Sequence, residues 1–309
     1  MIEALEPTAV AGVLAAAVRV ATPLLLAALG ETVTERAGVI NLGLEGAMLA
    51  GALAAALGAA EAGPWQGLTL AVLAGALMSA LLGAIVVLAG ANQIIAGTAV
   101  TLGCLGLTGA AHRAWVATGI AVPVVPTLAP APIPLLAELP LVGPALFAQP
   151  APTYFALLLV PALWWFLFRT RAGLALRAAG ESAAMARAAG VRVRLVRMGA
   201  TVFGGALAGL AGASLVGQVG SFAERMTAGR GYVAIAIVVL GRWHPAGVAL
   251  AAIVFGAATA LQFVFQALGL AAPYQLFLVL PYVLTLLALA GAVGRTRPPA
   301  DLGRDPAPS

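Results

Sequence analysis

Apolar stretches separated by short polar breaks make up almost the whole 309-residue chain. They cover about residues 8–29, 46–60, 68–90, 94–111, 154–168, 198–219, 248–268 and 274–293, with a shorter one at 232–241. A helix needs ~20 mostly apolar residues to cross the ~30 Å hydrocarbon core of a bilayer. The pattern predicts an all-α, polytopic integral membrane protein with eight or nine transmembrane helices. Residues 1–309 form a single transmembrane domain. Composition agrees: 62% of residues are hydrophobic and 9% charged, where a soluble domain carries about a quarter charged residues.

The breaks hold the polar groups. Residues 31–46 read ETVTERAGVINLGLEG, polar at first and then carrying Asn41, Gly43, Glu45 and Gly46 into an apolar run. Four residues apart, Asn41 and Glu45 share one face if both are helical. Glycines and a carboxylate at the mouth of a span suggest a discontinuous helix whose free backbone groups line a cavity. Asn92 and Gln93 open the fourth span in the same way, followed by glycine and small residues. Arg19, inside the first span, has two readings: a functional group, as intramembrane charges often are, or a side chain reaching the interface or a neighbouring helix. Gly205 and Gly209 form a G-x-x-x-G, which marks a tight helix contact within or between subunits. The run from Arg230 to Arg242 is too short to span comfortably and is expected to be re-entrant or a short helix, with both arginines structural.

Two longer breaks set the topology. Residues 114–152 hold nine prolines from Pro123 onward and are expected to form an extracytoplasmic loop with short irregular helices. Residues 169–197 hold seven of the sixteen basic residues against one acid, which by the positive-inside bias places them in the cytoplasm. Trp164 and Trp165 just before this loop suit an interfacial anchor. Within it, residues 181–189 are mostly alanine with Met185 and Arg187, which favours a short, smooth helix. Gly180 precedes it, Glu181 and Ser182 suit its N-terminus, and Gly190 suits a left-handed C-cap. Arginines in 295–309 keep that tail cytoplasmic. Five spans before the basic loop put the N-terminus outside.

All sixteen basic residues are arginine, and they flank membrane segments, so topology and anionic lipid account for the pI near 10.3 better than nucleic acid does. Cys104 is single, which excludes a disulfide framework or a cysteine metal site. His112 and His244 are too far apart in sequence to argue a metal pair. No basic residue lies in 1–8, and no cleavable signal peptide is expected. Neither a Walker A loop nor a hydrolase motif is present, so no catalytic residue, metal or cofactor is assigned to this chain.

Four segments together resemble a known family: residues 21–52 (ATPLLLAALGETVTERAGVINLGLEGAMLAGA), NQIIAGTAV from Asn92, GLALRAAGESAAMARAAGVRV in the basic loop, and residues 228–256 (AGRGYVAIAIVVLGRWHPAGVALAAIVFG). They look like a permease subunit of a bacterial ABC importer. The class is the branched-chain amino acid and simple-sugar permease superfamily, and the likeness is greatest to the shorter permease of nucleoside importers. The resemblance implies a multi-pass protein of the plasma (inner) membrane. It implies four partners: a cytoplasmic ABC ATPase that binds ATP and Mg, a homologous longer permease, an extracytoplasmic substrate-binding lipoprotein, and a nucleoside. It makes residues 178–190 the coupling helix, with Gly180, Glu181, Ser182, Ala183, Ala184, Arg187 and Gly190 facing the ATPase. Asn41, Glu45, Asn92 and Gln93 are then the candidates that line or gate the pathway. A simple-sugar importer of the same build is the alternative. An ion-coupled secondary transporter is a further one, with Glu45 as its only fair ion-coupling acid.

Overall fold

The computed structural model describes residues 7–117, 125, 128–140, 142–267, 279, 283 and 297–304. Helices α1 (Pro7–Arg36), α2 (Leu44–Ala62), α3 (Pro64–Gly83), α4 (Gln93–Ala117) and α5 (Ala151–Arg169) come first. α6 (Arg171–Glu181) and α7 (Ala183–Ala188) lie in the basic loop, and α8 (Val193–Val219), α9 (Arg230–Leu240) and α10 (Pro245–Ala267) follow. Seven of these helices are long and apolar enough to cross a membrane, and α9 is a shorter apolar helix. The protein is an all-α, multi-pass membrane protein. The expected span at 274–293 lies outside the described residues apart from two positions.

Several boundaries differ from the expectation, among them that of α4, which runs past Ala111 to Ala117. α1 does not end near Leu29; it runs on through ETVTER to Arg36, because Glu31, Thr32, Thr34 and Glu35 are buried against neighbouring helices rather than solvated. α8 begins five residues early, at Val193, since the arginines of its first turns extend past the membrane edge. The proline-rich connection forms few helical turns. It holds a two-residue antiparallel pair, Ala131–Pro132 with Ala148–Gln149, and a single π-helical turn at Gly143–Phe147. The Gln149 amide ties this loop to the bundle by donating to the carbonyls of Ala15, Pro144 and Ala145.

α8 is the hub, packed against α1, α2 and α3. Its glycines allow this. Gly205 meets Ser79 and Gly75 of α3, Gly209 meets Ala71 and Gly75, and Gly212 meets Met48 and Ala52 of α2. Backbones at that separation leave no room for a Cβ, and the small residues raise the area of van der Waals contact in a medium that offers no hydrophobic drive. The G-x-x-x-G contact is therefore made within the subunit.

Candidate functional site

The polar residues sit at three levels along the bundle, and the positive-inside bias puts the level nearest the arginine-rich loop on the cytoplasmic side. On the outer side, the C-terminal end of α8 and the N-terminal end of α5 frame a cavity of about 420 Å³ beside α1. Arg19, Thr22, Thr153, Ser214 and Gln218 supply its polar lining, with Pro130 and Pro150 of the proline-rich loop at its rim. Gln218 donates to the Arg19 carbonyl at 2.9 Å, and the Thr22 and Thr153 hydroxyls meet at 2.9 Å. Arg19 is therefore on an exposed face beside this cavity, with its carbonyl held by α8.

The middle level is built by the start of α2 and by the short helix α9. After α1 the chain turns at Gly38 and climbs along α4. The Ile40 N–H donates to the Gln93 Oε1 at 2.8 Å, and the Leu42 carbonyl accepts from the Thr101 hydroxyl at 2.8 Å. Gln93 opens α4 and Thr101 lies about two turns further along it. α2 starts at Leu44, beside the third turn of α4. α9 arrives from the other direction. Its eleven residues cover about 16 Å, ending where Trp243 meets the cytoplasmic end of α1.

Glu45 joins the two. One oxygen accepts from the Thr227 hydroxyl at 2.6 Å and the Gly229 N–H at 2.8 Å, and the other accepts from the Gly231 N–H at 2.6 Å. A helix N-terminus carries free amide donors and partial positive charge, and the Glu45 carboxylate answers both at the start of α9. Gly229 holds φ +82°. Arg225 and Ala228 before α9, and Arg242 and Trp243 after it, are also left-handed. Each such L-residue costs about 1–2 kcal/mol, so α9 is a short helix held between two strained turns. Arg230 donates to the Met226 and Thr227 carbonyls, bracing the first of these turns.

The cytoplasmic depth holds a denser polar network than the sequence disclosed. Asn41 precedes α2 and so does not share a helical face with Glu45. Its N–H donates to Glu31 at 2.9 Å, and its side-chain amide faces Ser79 of α3 at 3.3 Å. Glu31 Oε2 and Asn41 Oδ1 are buried without a partner among the described residues. Glu35 accepts from the indole N–H of Trp243, and the Arg36 guanidinium donates to the Trp243 carbonyl at 3.0 Å. Glu31, Glu35 and Trp243 were missed because ETVTER reads as a loop. The spacing of two glutamates four apart, on either side of Val33, was the available signal for a helix end. Asn92 is exposed and caps α4, accepting from the Ile94 and Ile95 N–H groups. Gln93 is buried and ties the Ile40 N–H to the Arg304 carbonyl. Asn92→Ala is expected to cost about 1 kcal/mol as a lost cap. Gln93→Ala strands a buried donor and acceptor and is expected to cost roughly 2–4 kcal/mol. Thermal unfolding in one detergent compares the two.

In the basic loop the helix is double. Thr170 caps α6 through the Gly173 N–H, and α6 runs to Glu181, so Gly180 and Glu181 close that helix rather than precede the next. Ser182 breaks it with an extended backbone and caps α7 through the Met185 N–H at 3.3 Å. Gly190 ends the unit at φ +82°, where the expected C-cap stands. Ala184 and Arg187 are exposed, Ala183 is buried, and Met185 is 77% exposed as the one bulky apolar side chain on α7. Arg197 binds this unit to the bundle, donating to the Ala37 carbonyl at 3.1 Å and the Ala179 carbonyl at 3.2 Å. His244 stacks on Phe168, and burial followed by the Arg36 charge moves its imidazole below the usual histidine range. No group of three histidine, cysteine or acidic side chains gathers among the described residues.

Comparison with known sequences decides the family. A profile of the branched-chain amino acid transport system permease component matches residues 13–289. The chain belongs to this permease family. It is 39% identical over 309 residues to a putative glucose ABC transporter permease, TsgC13, of Haloferax volcanii, covering 93% of each chain. It is 34% identical over 295 residues to the guanosine ABC transporter permease NupQ of Bacillus subtilis, covering 90% of this chain and 91% of the relative. The nucleoside ABC transporter permease NupC of Lactococcus lactis is 31% identical over 289 residues, at the same coverage. No solved structure matches. The chain is thus a transport subunit of the ABC type.

Proposed function

We propose that this permease carries nucleosides inward as one half of a pathway shared with a homologous permease, driven by a separate ATPase. The observation that carries the reading is the end-to-end similarity to the guanosine and nucleoside permeases, across the crossing segments and the basic loop alike. The polar groups suit the cargo. Amides, hydroxyls and one guanidinium can hydrogen-bond ribose hydroxyls and base edges, and an uncharged solute needs few fixed charges. In this scheme the outer cavity beside Arg19 receives the solute from a binding protein. Asn41, Glu45, Asn92 and Gln93 then act on the path as gate-holding groups, because each secures a segment end that must move for the path to open. The α6–α7 unit seats in the ATPase through Ser182, Ala184, Met185 and Arg187. ATP and Mg stay with that partner.

The putative glucose permease relative favours a second reading, a sugar importer with the same machinery. The test is ATP hydrolysis by the reconstituted complex with its binding protein. Guanosine, adenosine and uridine are expected to stimulate it, with glucose and ribose inert. Stimulation by glucose alone overturns the nucleoside reading and installs the sugar one. A complex that associates with no ATPase sinks both.

A further inference from the structure

Residues 297–304 lie across the break between α6 and α7. The Asp301 N–H donates to the Gly180 carbonyl at 2.9 Å, and one Asp301 carboxylate oxygen accepts from the Ala183 N–H at 2.7 Å. One residue thus holds a closing carbonyl of α6 and the first amide of α7, on either side of the Ser182 kink. The same carboxylate oxygen is 4.0 Å from the Arg197 guanidinium, the group already bonded to Ala37 and Ala179. Nearby, the Ala300 N–H faces Glu181 at 3.4 Å.

The segment then runs to the other end of the network. Leu302 packs on the main hydrophobic core. Gly303 lies against Ile40 of the climbing segment, and the Arg304 carbonyl accepts from the Gln93 amide at 3.0 Å. Eight residues therefore connect the α6–α7 kink to the first turn of α4 and to the segment that leads into α2.

We propose that residues 297–304 are a coupling strap, and that Asp301 is a positioning residue that fixes the α6–α7 angle and makes the kink move together with Gln93 and Ile40. The inference rests on the reading of α6–α7 as the ATPase-facing element. Its physical basis is simple. A small apolar cluster of Ala179, Ala183, Ala186 and Val193 packs the kink without fixing its direction, and Asp301 adds the polar clamp on both sides of it. Without the clamp, a push on α7 bends the kink and is not passed to the segments that hold the crossing closed.

Two measurements test this. Hydrogen exchange on the purified full chain in nanodiscs needs no partner. The Ala183 amide is expected to be protected in the wild type and to exchange about tenfold faster in Asp301→Ala, the change of losing one hydrogen bond. Asp301→Asn keeps an acceptor oxygen and is expected to recover part of the protection. Unchanged exchange in Asp301→Ala overturns the strap, whatever the partner does. In proteoliposomes of the assembled complex, guanosine uptake and ATP hydrolysis are read together. Asp301→Ala is expected to keep hydrolysis within about twofold of the wild type while uptake per ATP falls about tenfold, with Asp301→Asn in between. Uptake per ATP equal to wild type, or a parallel loss of both activities, overturns the positioning role. Failure of the wild-type chain to bind any ATPase is a failure of the functional reading instead, and the exchange result stands apart from it.

Discussion

Glu45→Ala is expected to destabilise the subunit by roughly 3–5 kcal/mol, because it leaves the Thr227 hydroxyl and the Gly229 and Gly231 amides unanswered in a buried site. Each stranded donor costs about 1–3 kcal/mol, and the three share one acceptor, so the sum is not fully additive. The bilayer makes the loss harder to repair, since water is scarce at that depth. Glu45→Gln is an intermediate case. Its amide nitrogen would face a donor where an oxygen now accepts, so one of the two sides is lost and the charge that answers the α9 N-terminus goes with it. Both variants are expected to unfold at lower denaturant concentration than the wild type, with Gln between Ala and wild type. Denaturation in mixed micelles, followed by far-ultraviolet circular dichroism, measures this. A Glu45→Ala protein as stable as the wild type would mean that α9 is held by something other than this carboxylate.

A larger effect is expected at Gly209. A leucine there would drive its Cβ into the backbone of Ala71 and Gly75 of α3. No rotamer relieves a clash made by Cβ, so α3 and α8 must separate, and the close packing that holds a membrane bundle is lost. Overpacking costs about 1–3 kcal/mol where side chains can adjust; here they cannot, and the folded subunit is expected not to accumulate. Gly199→Leu is the control, because a Cβ at Gly199 meets nothing within 4 Å. Monodisperse yield after detergent extraction compares the two. Equal yields would contradict the assignment of α8 as the hub.

Much of the fold was legible because a bilayer imposes one solution on a long apolar run. The spans, the helical arginine-rich loop and the shortness of α9 all follow from hydropathy and charge position. The glycines and Glu45 at the mouth of the second span likewise marked a polar junction, where Glu45 meets the start of α9. Less could be read where the side chain decides by its neighbours. ETVTER has the composition of a loop, and only the presence of Trp243, more than 200 residues later, makes Glu35 a buried helical residue. The amide pair Asn92–Gln93 looked like one polar signal and is two: one residue caps α4, the other ties two distant backbones. Ser182 was read as a helix start and is one, but Gly180 and Glu181 belong to the helix before it. Asp301 had no signal at all, because its shortest hydrogen bonds are to backbone groups that any sequence carries.

The most direct test of the whole account is vectorial uptake. Proteoliposomes containing this subunit, a longer permease, their ATPase and their binding protein are loaded with ATP on the cytoplasmic face and given labelled guanosine outside. The account expects guanosine to accumulate inside above the external concentration, only with hydrolysable ATP, with excess glucose failing to compete. Accumulation that follows a sodium or proton gradient and ignores ATP would contradict it.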